Sequence, residues 1–257
     1  MRALLLVPAG LLLLASPVGA QDFSWHGAIA AGKTLEVRGI NGSVTAVAAS
    51  GGEARVTATK RAHRHGNPDD VEIKVVQDAE GVLICAVYPS RHSDRPNECG
   101  WRRGHSDTDN NDTEVDFQVQ VPAGVAFVGS TVNGDAEARN LPADARLSTV
   151  NGDVDVSASG TAEASTVNGS VRADVGKGDW SGALEFNTVN GGITVTLPQD
   201  LSAEVAASTV NGSIESDFPL TVQGRIRPRS IHATIGSGGR DLELKTVNGS
   251  IRLVKRS

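Results

Sequence analysis

The sequence predicts an all-β chain wound as a single-stranded β-solenoid with rungs of about 17–22 residues. The first observation is a tetrapeptide, Thr-Val-Asn-Gly, used six times, with its asparagine at Asn133, Asn151, Asn168, Asn190, Asn211 and Asn248. A relaxed seventh copy, Ile40-Asn41-Gly42, stands far upstream. Successive asparagines are 18, 17, 22, 21 and 37 residues apart, and 37 is close to two steps with a worn rung between them, near Ile231 to Gly239. The second observation is alternation around the motif. Three residues after each asparagine stands Val44, Ala136, Val154, Val171, Ile193, Ile214 or Ile251, and two further on the series is again apolar except at Ser216. That is the period-two pattern of a strand with one buried face. The third is composition: 29 glycines and nine aromatics describe a thin core of Val, Ile, Leu and Ala, and no segment sustains a helical period.

The phase of the alternation shifts at the motif. Leu147, Leu244, Phe186 and Ala207 lie four residues before their asparagines, an even-numbered apolar set, whereas the residues after them form an odd-numbered one. The reading places a bend across Ser-Thr-Val, with the valine before each asparagine on the buried face and Thr149, Asn151, Asp153 and Asp155 on the wet one. A rival architecture fits the same phases. Asn-Gly is the favoured two-residue hairpin turn, so an antiparallel up-and-down meander with Asn-Gly hairpins is the alternative. Stacked rungs set each residue above its own equivalent, which favours identical Thr, Val, Asn and Gly at every level and lets stacked asparagine amides bond from rung to rung. The six asparagines are therefore read as a structural ladder. No such rung can bury enough to stand alone, so stability must come from its neighbours.

Three regions follow from the rest of the chain. Residues 1–20 read as a secretory signal peptide: Arg2, an apolar run from Ala3 to Ala15, then small residues at Val18 and Ala20 before Gln21. Residues 21–128 form an N-terminal β region. Within it Phe23 and Trp25 offer apolar bulk to cover an open end, Val82 to Val87 is a continuous apolar run suited to burial on both sides, and Pro89 to Asp112 is a polar insertion loop. Residues 129–257 carry the repeat solenoid, continuous with what precedes it. The expected product is exported, periplasmic or extracellular at the cell surface, and without an integral membrane segment in the mature chain.

Without Arg2 the basic count is 23 against 30 acids, a formal charge of −7, which argues against nucleic acid as the main partner. The short basic clusters, Arg61-Ala62-His63-Arg64-His65, Arg102-Arg103 and Arg225-Ile226-Arg227-Pro228-Arg229, read as solvated loop charge. Cys85 and Cys99 are the only cysteines, an even pair in an exported chain, which favours a disulfide over a catalytic or ligating thiol. His63, His65, His92 and His105 fall in or near loops, but their spacing is not that of a zinc site. Asp107, Asp109 and Asn111 begin like a calcium loop, yet Asp112 stands where the turn glycine belongs. Asp135 and Asp153 beside the turn build no carboxylate ladder, because other rungs carry Ser or Gly there. Hydrolase and nucleotide signatures are missing, and no catalytic, cofactor-binding or metal-ligating residue is assigned.

The repeats resemble the bacterial putative adhesin family, whose β-strand repeats carry Thr-Val-Asn-Gly and whose domain is otherwise of unknown function. Leu35 through Thr59 is similar to the family's opening, Val115 to Gly124 to its Val-Pro-Ala-Gly lead-in, and Ser130 to Leu253 to its repeat array. The resemblance implies an exported, non-catalytic, right-handed β-solenoid and supplies no binding residues. The resulting expectation is an adhesin or cell-envelope structural or binding module, not an enzyme, whose partner is a protein or glycan of the envelope. Its rivals are a β-helix carbohydrate-active enzyme and a metal-binding envelope protein using the histidine loop.

Overall fold

The structure is a computed structural model that describes residues 23–91, 96–101, 108–177, 180, 182–222 and 229–256. The segment read as a signal peptide lies outside these residues. In chain order the N-terminal strands are β1 (Phe23–Ala28), β2 (Thr34–Arg38), β3 (Val44–Ala48), β4 (Glu53–Arg61), β5 (Glu72–Gln77), β6 (Gly81–Val87) and β7 (Glu114–Val121). The array continues with β8 (Ala126–Ser130), β9 (Ala136–Leu141), β10 (Ala145–Ser148), β11 (Val154–Ala158), β12 (Ala162–Ser165), β13 (Val171–Val175), β14 (Ala183–Asn187) and β15 (Ile193–Leu197). It closes with β16 (Ala203–Ser208), β17 (Ile214–Ser216), β18 (Thr221–Val222), β19 (Ser230–Ile235), β20 (Asp241–Lys245) and β21 (Ile251–Lys255).

Each repeat is one coil. Its strand before the motif joins an 11-stranded sheet and its strand after the motif joins a 10-stranded one, so the chain changes sheet at every Asn-Gly. Within the coils like strands pair in parallel: Leu147 lies beside Ala164, Val154 beside Val171 and Ile193 beside Ile251. This removes the hairpin meander. The physical reason sits at the glycine: Gly134, Gly152 and Gly169 take φ of +151°, +156° and +158°, and a Cβ at each would run into the glycine carbonyl of the coil beside it. The turn thus opens a corner against the next coil, where a hairpin would fold back on itself. The core lies between the two sheets, and its largest enclosed side chains are Phe117, Phe127, Phe186 and a set of Leu and Ile.

The register of burial corrects the sequence reading at the corner. Thr131, Thr149, Thr166, Thr188, Thr209 and Thr246 are buried at 5 % exposure, while Val132, Val150, Val167, Val189 and Val247 are 37–39 % exposed and Val210 is 52 % exposed. The even-numbered set therefore runs through Ala145, Leu147 and Thr149, and the bend falls at Val-Asn-Gly, not across Ser-Thr-Val. Threonine takes the inward place because its hydroxyl has a partner there, whereas an inward valine would leave a buried carbonyl unbonded.

Spatial order departs from chain order at both ends. The β6 and β7 coil, with the insertion replacing the Asn-Gly turn, stacks outside the β2 and β3 coil, and β8 and β9 stack on the other side of the latter. Antiparallel β4 and β1 extend the sheet beyond β7, and antiparallel β5 extends the other beyond β6. Phe23 and Trp25 of β1 are half-buried against the core. At the far end the asparagines run Asn168, Asn190, Asn248, Asn211, so the last coil in the chain is second from last in the stack. The segment from Ile231 to Gly239 is accordingly no worn rung: β19 pairs antiparallel with β16 and lies beyond it, between β16 and the edge strand β18.

Candidate functional site

Among the described residues, polar side chains gather at the asparagine corner, in the depression at its N-terminal end and at the disulfide loop over β6. Along the corner the Nδ2 of each asparagine donates to the Oδ1 of its neighbour, from Asn133 to Asn41 at 2.9 Å, then Asn151, Asn168, Asn190 and Asn248 in turn, and finally Asn211 to Asn248, at 2.7–2.8 Å. All the donors point toward the Asn41 end, so the side-chain amide dipoles align and reinforce one another. The buried threonine hydroxyls donate the same way, Thr149 to the Gly134 carbonyl at 2.8 Å and Thr166 to that of Gly152 at 2.9 Å, with the others alike. Asp135 Oδ1 accepts the Asp153 N–H at 2.8 Å and Asp153 Oδ1 accepts that of Ser170 at 2.7 Å. These carboxylates hold the next coil's backbone, which is why Asp or Ser suits that position.

Where the ladder begins, a depression of about 480 Å³ is lined by Asn41, Ser43, Arg61, His63, Asp112, Glu114 and Asp116 among others. By strand register Glu114 takes the place of an asparagine in the outermost coil, since Phe117 of β7 pairs with Val44. Arg61 pairs with Asp116 and with Glu114, and His63 Nε2 lies 2.9 Å from Glu114 Oε2. Asp116 Oδ1 also accepts from the Ser43 backbone and hydroxyl at 2.8 and 2.6 Å. Partial desolvation pushes the Asp112 carboxyl upward, but the His65 and Arg64 N–H groups donate to it and, with the pull of His65 and His63, hold it below the usual value. Beneath lies Tyr88, 2 % exposed, whose hydroxyl donates to the Thr113 carbonyl at 2.7 Å and reaches that of Asn41 at 3.3 Å. Burial, more than the nearby Glu114 and Asp116, drives its phenol above the ordinary tyrosine range, against the opposing Asn41 bond, and keeps it a neutral donor.

Cys85 and Cys99 form a disulfide. It ties the insertion to β6, whose residues Val82 to Ala86 are buried on both faces. Asn97 donates to the Tyr88 carbonyl at 2.9 Å, and Arg38 bridges Glu36 at 2.5 Å and the Gly100 carbonyl at 2.6 Å. Between this loop and the sheet runs a groove of about 540 Å³ lined by Arg38, Arg146, Glu36, Glu98, Ser130 and Ser148 among others.

Of the histidines considered for metal, His63 faces Glu114 and the backbone of His65 binds Asp112, while His92 and His105 lie outside the described residues. Asp107, Arg102-Arg103 and Arg225 to Pro228 also lie outside them. Among the described residues no group of three or more His, Cys, Asp or Glu is placed to hold a metal ion. Of the supposed calcium loop, Asn111 Oδ1 accepts the Thr113 N–H at 3.0 Å. Carboxylates do line up on the outer faces. Glu185 lies opposite Glu243 with Glu163 one strand further along, but Glu163 is paired with Arg146 at 2.7 Å and Glu243 with Lys245. On the other sheet burial and then the adjoining Glu137 raise the Asp155 carboxyl, against Arg172 and Arg139.

Tyr88, the inward threonines and the loop residue Trp180, which bonds the Asp241 carbonyl at 3.0 Å, escaped the sequence reading. The threonines had a signal, their even-numbered continuation of Ala145 and Leu147; Tyr88 and Trp180 had none, because their partners are 25 and 61 residues away.

No helix among the described residues is long and apolar enough to cross a membrane. No curated protein matches the chain. Among solved structures, a putative cell adhesion protein from Clostridium sporogenes is 13 % identical, with 91 % of this chain and 99 % of that one covered and a TM-score of 0.47. A putative adhesin from Bacteroides fragilis is 13 % identical over 90 % of this chain and 96 % of that one, with a TM-score of 0.37. Residues 130–254 match the family described as Toastrack DUF4097. Those residues span the repeat array from Ser130 into the last strand, so the array is what is similar to the Toastrack DUF4097 family.

Proposed function

We propose that this chain is an exported, non-catalytic β-solenoid that serves the cell envelope as an adhesin-like binding or structural module, in the periplasm or at the cell surface. The observation that carries the reading is the corner. Every polar side chain that the motif supplies there bonds the neighbouring coil: asparagine to asparagine, threonine to glycine carbonyl. The repetition has a complete structural purpose, and the ladder serves to build a long, rigid two-sheet support. Export rests on the residue pattern of positions 1–20, and the exclusion of nucleic acid as main partner on the net charge of −7 after Arg2 is set aside. Binding is assigned to the outer sheet faces and the disulfide-tied insertion at 89–112, the part of the chain that departs from the repeat, and the partner to a protein or glycan of the envelope. Domain organisation follows the same reading, with the 21–128 region and the 129–257 array forming one stack.

The test is affinity capture from envelope extracts with residues 21–257, repeated with 89–112 deleted and Cys85 changed to Ala. A partner retained by the first and lost by the second places binding in the insertion, and equal recovery moves it to the sheet faces. Failure of both to enrich any envelope component over an unrelated exported β-protein sinks the binding reading.

A further inference from the structure

Asn-Gly is the pair most prone to spontaneous deamidation, because glycine has no side chain to hinder attack of its nitrogen on the asparagine amide. The chain carries seven such pairs, and the fold treats one of them differently. In six, the glycine N–H donates to the asparagine carbonyl of the next coil: Gly42, Gly134, Gly152, Gly169, Gly191 and Gly249, at 2.8–3.0 Å. The asparagine Oδ1 of the same six accepts from the next coil's Nδ2. Asn211 ends the ladder, and among the described residues neither its Oδ1 nor the Gly212 N–H has a partner. Gly212 is exposed, whereas the other six glycines are buried or half-buried. Val210 beside it is the most exposed of the motif valines and marks the same open end.

We propose that Asn211 is a modification site, the position of the ladder at which the folded protein deamidates. The step needs only water. The Gly212 nitrogen gives up its proton and bonds to the Asn211 side-chain carbonyl carbon, the bond from that carbon to Nδ2 breaks, and ammonia leaves with the proton. Water then opens the resulting five-membered imide at either carbonyl, giving aspartate or isoaspartate. Inside the ladder the same attack must first break bonds to the coils on both sides. At Asn211 only the Asn248 coil holds the motif, through Asn211 Nδ2 to Asn248 Oδ1 at 2.8 Å and the Gly249 N–H to the Asn211 carbonyl at 3.0 Å. Local sequence draws no such distinction, since Thr-Val-Asn-Gly-Ser reads identically at Asn168, Asn211 and Asn248. The isoaspartate product also acts on the fold, because it adds a methylene to the main chain just before β17. That strand pairs only with β21, so it gives way when Asn211 beside Asn248 and Ile214 beside Ile251 can no longer both stay in step.

The test is ageing of folded residues 21–257 in mildly alkaline buffer, followed by peptide mapping with mass spectrometry and enzymatic methylation specific for isoaspartate. Asn211 should convert about tenfold or more faster than Asn168 and Asn248, the effect of the hydrogen bonds that those two must break and Asn211 need not. In the urea-unfolded chain the three should convert alike. Conversion of Asn168 or Asn248 as fast as Asn211 in the folded protein would overturn the proposal, and so would the same preference for Asn211 after unfolding. Hydrogen exchange follows the consequence at the Asp217 N–H, which donates to the Leu253 carbonyl at 2.9 Å. It should lose protection in the isoaspartate-containing protein and keep it in an Asn211→Asp variant, which has the charge without the added methylene. Protection retained in both would overturn the effect on β17.

Discussion

Threonine and valine sit side by side in each motif and do opposite things. Thr149 is enclosed and its hydroxyl donates to the Gly134 carbonyl, while Val150 is 38 % exposed. Thr149→Val should therefore cost about 1–2 kcal/mol, because a buried acceptor loses its donor, while Val150→Thr should change stability by less than about 0.5 kcal/mol. Urea midpoints of the two variants check this, and the opposite ranking would restore the inward valine. Asp155 gives a pH-dependent contrast. Burial and then Glu137 raise its carboxyl in the folded state, so the native protein holds that proton more tightly than the unfolded chain does. Stability from this group is present at acid pH and falls as pH rises from the ordinary carboxylate value through the raised one. Asp155→Asn should thus raise the melting temperature at pH 7 and leave it nearly unchanged at pH 3. Period-two alternation reveals which residues share a face, but cannot locate the bend where one phase gives way to the other. Hydrogen bonding to the next coil decides that.

At the scale of elements, the disulfide and the buried strand β6 depend on each other. The Cys85 to Cys99 bridge spans 14 residues of sequence and returns the insertion to a strand buried on both faces. Replacing both cysteines by alanine should lower unfolding stability by about 3 kcal/mol. It should also make residues 96–101 the first site of limited proteolysis, which mass spectrometry of early fragments would show. The continuous apolar run of Val82 to Val87 was legible as a doubly buried strand. What covers it was not, because Asn97 and Arg38 reach their partners through side chains that carry no period.

Over the whole molecule, the stack behaves as a chain of nearest neighbours, so position along it sets the cost of a lost contact. Asn168 donates to Asn151 and accepts from Asn190, whereas Asn211, at the end of the ladder, donates only to Asn248. Asn168→Ala should accordingly destabilise about twice as much as Asn211→Ala, on the order of 2 against 1 kcal/mol. Thermal denaturation of the pair measures the ratio, and equal effects would mean that the ladder carries no stability of its own. The repeated motif, its spacing near twenty and the alternation around it were enough to determine an all-β stack with asparagine over asparagine, because those are local regularities that every coil obeys. The order of the coils, with Asn248 between Asn190 and Asn211 and the β6 coil outside β2, came only from the tertiary structure. Coils that share one motif are not ordered by it, and the contacts that set them apart are long-range, such as those of Trp180 and Arg256.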